Sequence, residues 1–370
     1  MTTLRDVAAL AGVSAMTVSN VVNGREHKVS PATRERVRGA IETLGYVPNA
    51  QARTLAGSSS RIIALVYGAG DGLPALTASH ESAFVGACEC AARRAGYSLM
   101  LCGAHSDRPD EVVDRLRAWR VCGVICLGTV PPPVHPLLTG AEAPVVLVDS
   151  YSPQMVAAGG EVLGSVNIDD AGGARRVGER LARLGHRRVA FIGPVGLGSP
   201  VVEARLNGLK DGLLAGAAGG GAVDAPEVIG AEVNFASGVR AGTELGGRVT
   251  AAGSGERSVT GVLASGDVLA MGVVAGLRRA GARVPEDVSV VGFDGFEVST
   301  YCDPPLTAVA QSVDDKAAQA VALVSATGDD AGRPNGSGTG NADGPGPARV
   351  VLPVVWREGG TLGPAPGADS

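Results

Sequence analysis

Near the amino end, Ala15, Met16, Thr17, Ser19 and Asn20 share one face of a short helical pattern, and their side chains suit contact with a nucleic acid. Asn20 carries an amide that can pair bidentately with adenine, whereas Ala15 and Met16 offer only apolar contact, for instance to a thymine methyl. Base specificity from this helix alone should therefore be modest. The hydroxyls of Ser14, Thr17 and Ser19 suit phosphate oxygens, which fix register without reading sequence. For Ser14 a helix-capping role is sufficient by itself, and both roles are expected.

Such residues need a rigid frame, and the flanking pattern supplies one. Thr3 caps a first helix, with Asp6 answering three residues later, and Leu4, Val7, Ala8 and Ala11 line one face. Gly12 ends that helix in a left-handed turn, Val13 drops into the core, and Ser14 opens a second helix with Val18, Val21 and Val22 inward. A third helix runs from Ser30 and Pro31 through Val37, Ile41 and Leu44 to Gly45. The three enclose a minimal core and leave the polar face of the second helix projecting, which is a helix-turn-helix.

The pattern D-V-A-x-x-A-G-V-S-x-x-T-V-S-x-V-x-N from Asp6 to Asn23 resembles the lactose-repressor (LacI/GalR) family of bacterial transcription regulators. So do V-S-P-x-T-R-x-x-V from Val29 to Val37 and L-G-Y-x-P-N from Leu44 to Asn49. The resemblance implies base contacts from Ala15, Met16 and Asn20, with Arg25 reaching the backbone or a base. It also implies a hinge helix after Gly45, a segment too short to be helical alone. This helix orders when two chains meet on DNA. Asn49 and Ala52 lie in it, and Leu55 falls where the family wedges a leucine between base pairs in the minor groove.

From Arg61 the pattern becomes strands alternating with amphipathic helices, which means parallel sheet with helical crossovers. Strands are expected at 62–67, 98–102, 123–127 and 145–148, then in a second round at 189–192, 228–229, 261–264 and 288–292. The fold class is a small all-α helix-turn-helix head plus an α/β body of two lobes with parallel sheets, similar to periplasmic binding proteins. The expected domains are residues 1–47 for the head, 48–61 for the hinge and linker, and 62–370 for an effector-binding and dimerisation body. Lobe one is assigned 62–163 and 295–326, lobe two 164–294 and 349–360, with 306–310 in lobe one and 349–356 a strand of lobe two. Residues 327–348 have too little apolar surface to offset ordering and read as a flexible loop, and the tail after Thr361 also reads as mobile.

Within the body, Arg205 and Asp294 match the family's effector-binding Arg and Asp, a guanidinium and a carboxylate able to grip hydroxyls or ring nitrogens. Asp149 and Asp267 also fall at strand ends, and Asp267 reads as a cap for its helix. The sequence departs from the family at pocket positions that are often aromatic, here His80, Glu81 and Val233, and at a second arginine position, here Ser199. No aromatic platform is legible, which points to a polar ligand or to none.

The net charge of −5 argues by itself against nucleic acid, but residues 1–61 carry +4 and the remainder −9. A basic head on an acidic body fits a DNA reader. The absence of long apolar runs speaks against a membrane span or signal peptide, so a cytoplasmic location is expected. The six cysteines read as small buried hydrophobes, and the 55 glycines as compositional bias. No cofactor, metal site or catalytic set is legible, and the glycine-rich turns at 68–73 and 193–199 lack phosphate-loop features.

The expected function is a homodimeric, sequence-specific transcription regulator, most simply a repressor, binding palindromic operator DNA under control of a sugar, nucleoside or related polar effector. Alternatives are a sugar-binding protein without DNA function, a regulator that needs no effector or a corepressor, and a nucleotide-dependent α/β enzyme.

Overall fold

The computed structural model describes residues 2–22, 26–47, 60–69, 79–128, 138, 143–150, 162–196, 198–217, 222–252, 258–328 and 348–367. Arg25, Asn49, Ala52, Leu55 and most of the 327–348 segment lie outside them. The chain divides into two compact units, residues 1–60 and 61–370.

The first unit holds α1 (Leu4–Ala11), α2 (Ala15–Val22) and α3 (Pro31–Leu44). Its local chemistry matches the pattern read from sequence. Thr3 and Asp6 form a reciprocal capping box, and Gly12 adopts φ 63°. Ser30 caps α3 ahead of Pro31, and Gly45 closes it at φ 55°. Val7, Val18 and Val37 are fully buried where the three helices meet.

The second unit has two six-stranded sheets. The first contains β1 (Ile62–Gly68), β2 (Ser98–Ala104), β3 (Gly123–Leu127), β4 (Val145–Val148), β5 (Val162–Ile168) and, at its edge, β11 (Ala348–Leu352). Its strand order is β11-β5-β4-β3-β1-β2, and all its pairings are parallel. The second contains β6 (Val189–Gly193), β7 (Glu227–Gly230), β8 (Gly261–Ala264), β9 (Ser289–Asp294), β10 (Thr307–Ala310) and β12 (Val355–Arg357). Its order, β12-β10-β9-β8-β6-β7, repeats the first, with only the edge pair β10/β12 antiparallel. Helices α4 (Ser79–Arg94), α5 (Pro109–Trp119) and α10 (Val313–Gly328) pack on the first sheet. Helices α6 (Asp170–Arg183), α7 (Pro200–Gly216), α8 (Phe235–Ala252) and α9 (Asp267–Arg279) pack in the second lobe.

The chain passes between lobes three times, at residue 169, at 311–312 and at 353–354. These crossings correct the sequence-based division. Strand β5 belongs to lobe one, so that lobe runs on to Ile168; Gly164, Ser165 and Asn167 hid it by breaking the apolar run. Strand β10 pairs with β9 and belongs to lobe two, because four apolar residues carry no mark of which sheet will take them. The stretch 349–356 is two strands in different sheets, divided at Pro353, which has no N–H to give a ladder.

Two further expectations change. Residues 327–328 complete α10 and 348 opens β11. After Thr361 the chain is anchored to lobe two: buried Thr361 donates its hydroxyl to the Val290 carbonyl at 2.6 Å and accepts from the Thr307 N–H at 2.9 Å. Ala365 N–H reaches the Leu184 carbonyl at 2.8 Å. His186, fully buried, bridges Thr260 Oγ1 and the Gly363 carbonyl. Nor are all the glycines compositional drift. A Cβ on Gly212 would stand 2.0 Å from the Arg175 carbonyl of α6, and one on Gly242 would stand 2.3 Å from the Val273 carbonyl of α9. Those helix pairs pack backbone on backbone, which fixes the lobe-two frame.

Candidate DNA-reading face and effector cleft

In the head, Gly12 turns the chain and Ser14 Oγ accepts the Thr17 N–H at 3.1 Å, so the start of α2 is satisfied locally. Ser14 and Thr17 hydroxyls also lie 2.9 Å apart. Val18 and Val21 face the core, which leaves Ala15 and Met16 outward; Met16 is 70% exposed. Ser19 and Asn20 are half-buried on the flanks of the same face. A helix presenting an exposed methionine and an amide, with its first turn already capped, can enter a groove without leaving its own backbone unpaired.

In the body, a cleft of about 640 Å³ opens between the lobes at the carboxyl ends of the strands, where open α/β sheets receive ligands. It brings together all six of the sequence-predicted positions, His80, Glu81, Ser199, Arg205, Val233 and Asp294. Arg205 projects from the second turn of α7 and is almost wholly enclosed. Its Nε donates to Asp170 Oδ1 at 2.7 Å and its Nη1 to the Ser265 carbonyl, while its guanidinium lies 3.7 Å from the Phe293 ring centre. Asp294 Oδ1 stands 3.9 Å from Nη2. Burial opposes the charge of Arg205, but Asp170 and Asp294 outweigh it and raise its pKa.

Asp149 and Asp294 both hold positive φ, 52° and 111°. Non-glycine residues pay about 1–3 kcal/mol for such backbones, a cost that concentrates at functional sites. Asp149 receives Lys316 Nζ at 2.6 Å and lies 3.1 Å from His80 Nε2. Burial works against the Asp149 charge, yet Lys316 and His80 hold its carboxyl well below the usual range. For His80, burial is likewise outweighed by Asp149, and its pKa is raised. Lys316, with no exposed surface, also donates to Gln311 Oε1, and Gln311 Nε2 donates to Asp294 Oδ1 at 2.7 Å. A polar chain therefore links His80 in lobe one to Arg205 in lobe two through the crossing at Gln311.

Sequence reasoning missed Lys316, Gln311 and Asp170. Each sits beside a lobe crossing, where strand and helix patterns say nothing about which lobe a side chain faces. Tyr67 and Phe296 also line the cleft, correcting the expectation of no aromatic surface. Asp267 is the first residue of α9 and does not cap it; its Oδ2 accepts the Phe296 N–H at 2.7 Å.

Burial, and then the charge of Asp294, push the Asp267 carboxyl up to about 7 from an ordinary 3.8. An acid with a raised folded pKa contributes its full stability below pH 3.8 and loses it as pH rises to about 7. At about 1.4 kcal/mol per pH unit, the gap is worth about 4 kcal/mol at most. Asp267→Asn keeps an acceptor for Phe296 and should unfold at a higher temperature than the parent at pH 8, with the advantage gone by pH 4. Parallel melting profiles from pH 4 to 8 would refute the assignment.

A helix-turn-helix head carried on a two-lobed, cleft-bearing body defines a DNA-binding regulator with a ligand-binding core. Residues 3–49 match the family described as bacterial regulatory proteins, lacI family, and residues 179–338 match the periplasmic binding protein-like domain. The HTH-type transcriptional regulator CelR of Thermobifida fusca is 35% identical over 311 residues, covering 84% of this chain and 86% of the relative. A solved CelR–cellobiose complex superimposes with a TM-score of 0.66 at 29% identity, covering 98% and 100% of the two chains. The lac repressor dimer bound to operator and the anti-inducer ONPF gives 0.77 at 27% identity, covering 97% and 98%. The chain belongs to the lacI family of bacterial transcription regulators.

Proposed function

We propose that the chain is a homodimeric repressor whose operator affinity is set by a small polar effector, of the sugar class or near it, held between the lobes. It acts in the cytoplasm and has no catalytic turnover. The observation that carries this reading is the convergence of Arg205, Asp294 and the other four predicted positions on one cleft spanning both lobes. Support for a saccharide comes from the CelR structure with cellobiose, and for a dimer on DNA from the lac repressor complex. In this reading Ala15, Met16 and Asn20 contact bases, and Ser14, Thr17, Ser19 and Arg25 hold the backbone. The 48–61 hinge, with Asn49, Ala52 and Leu55, enters the minor groove at the operator centre. An effector that changes the lobe angle needs a coupling of only about 1–3 kcal/mol to shift occupancy roughly 5- to 150-fold.

The test is selection of bound sites from random duplex DNA, followed by a search for compounds that release the selected site. A palindrome with a symmetric centre is expected, and no enriched site would refute the regulator's operator reading. Asn20→Ala should relax preference at one base position per half-site, losing about 1–3 kcal/mol of discrimination there. Leu55→Ala should weaken specific binding more than non-specific binding. If Asn20→Ala weakens all sequences equally, Asn20 is a backbone contact.

A further inference from the structure

The charge balance of the cleft bears on what it binds, granted the reading that this cleft holds the effector. Its cations are already engaged. Arg205 is committed to Asp170 and the Ser265 carbonyl, and Lys316 to Asp149 and Gln311, with His80 beside the same Asp149. The carboxylates are in excess. Asp267 and Asp294 line the lobe-two wall, with Glu81 and Glu232 nearer the opening. Asp267 is 1% exposed, and its Oδ1, like Ser265 Oγ, has no hydrogen-bond partner among the described residues. Buried acceptors without donors are costly unless something supplies them. Tyr67 and Phe296 on the same walls offer a cation two rings to lie against.

We infer that the effector is a hydroxylated amine of the amino-sugar class, its ammonium balancing the Asp267 and Asp294 carboxylates and its hydroxyls donating to the remaining acceptors. A phosphorylated or acidic sugar adds charge of the sign the cleft already holds in surplus, and is excluded.

The test uses the full chain and its selected operator at pH 7. Calorimetric titration compares glucosamine, galactosamine, mannosamine and the glucosamine dimer with glucose, galactose, mannose and cellobiose, and with glucose 6-phosphate and glucuronate. At least one amine should bind about tenfold or more tightly than its neutral counterpart, and the anionic sugars should not bind. The amine preference should fall about two- to fivefold in E81Q or E232Q, both accessible positions. Equal or tighter binding of the neutral counterparts, binding of an anionic sugar, or no binding by any amine would overturn the inference. A neutral sugar that binds and releases operator sinks the charge argument and leaves the effector reading intact. An amine that binds without changing operator affinity does the reverse.

Discussion

Arg205→Met should lower the stability of the body by about 3–5 kcal/mol and abolish any effect of a cleft ligand on operator binding. The stability loss follows from what the guanidinium neutralises. Asp170 is 1% exposed and takes Arg205 Nε at 2.7 Å, and the Ser265 carbonyl takes Nη1. Methionine fills much of the volume and lies against Phe293, but it leaves a buried carboxylate without its counter-charge. Replacing both partners, Arg205→Met with Asp170→Asn, should recover more than half of the loss, since the penalty is mainly that of an uncompensated charge. Arg205→Lys should fall between, because one ammonium cannot reproduce the fork that serves Asp170 and Ser265 together. Thermal and denaturant unfolding of the three variants decides it. A double variant as unstable as the single would mean that packing, not charge, is what Arg205 supplies.

Lys316→Met should have a comparable effect that depends on pH. The parent holds Asp149 between Lys316 and His80, with Lys316 wholly enclosed. Removing the ammonium leaves His80 as the neighbouring cation, and only when protonated. A histidine whose folded pKa is raised contributes stability that is complete below its unfolded value of about 6.5 and lost as pH rises through the folded one. The variant should therefore lose about 3–5 kcal/mol at pH 8 and clearly less at pH 6. The parent should show no such slope from this pair, since the depressed Asp149 carboxyl loses its contribution only as pH falls below the ordinary carboxylate range. Adding Asp149→Asn should restore much of the loss at pH 8. Melting curves at pH 6 and 8 test it, and a loss independent of pH would show that His80 does not take over.

What the linear sequence determined by itself was everything enforced within a few residues. The head was legible to its caps because Thr3 with Asp6, Gly12, Ser14, Ser30 with Pro31, and Gly45 each act on backbone groups within about one turn. The alternation of strand and helix in the body was legible for the same reason, and Arg205 and Asp294 through motifs that surround them. Tertiary structure alone decided which sheet takes a strand. The β10 and β11 segments are short apolar runs that either lobe would accept, and pairing partners more than a hundred residues away made the choice for β11. It also decided the Lys316–Asp149 and Arg205–Asp170 pairs, which join residues 167 and 35 positions apart. Charge pairing of that range leaves no local spacing to read. It exists only once the three lobe crossings have placed strand ends from both sheets around one cleft.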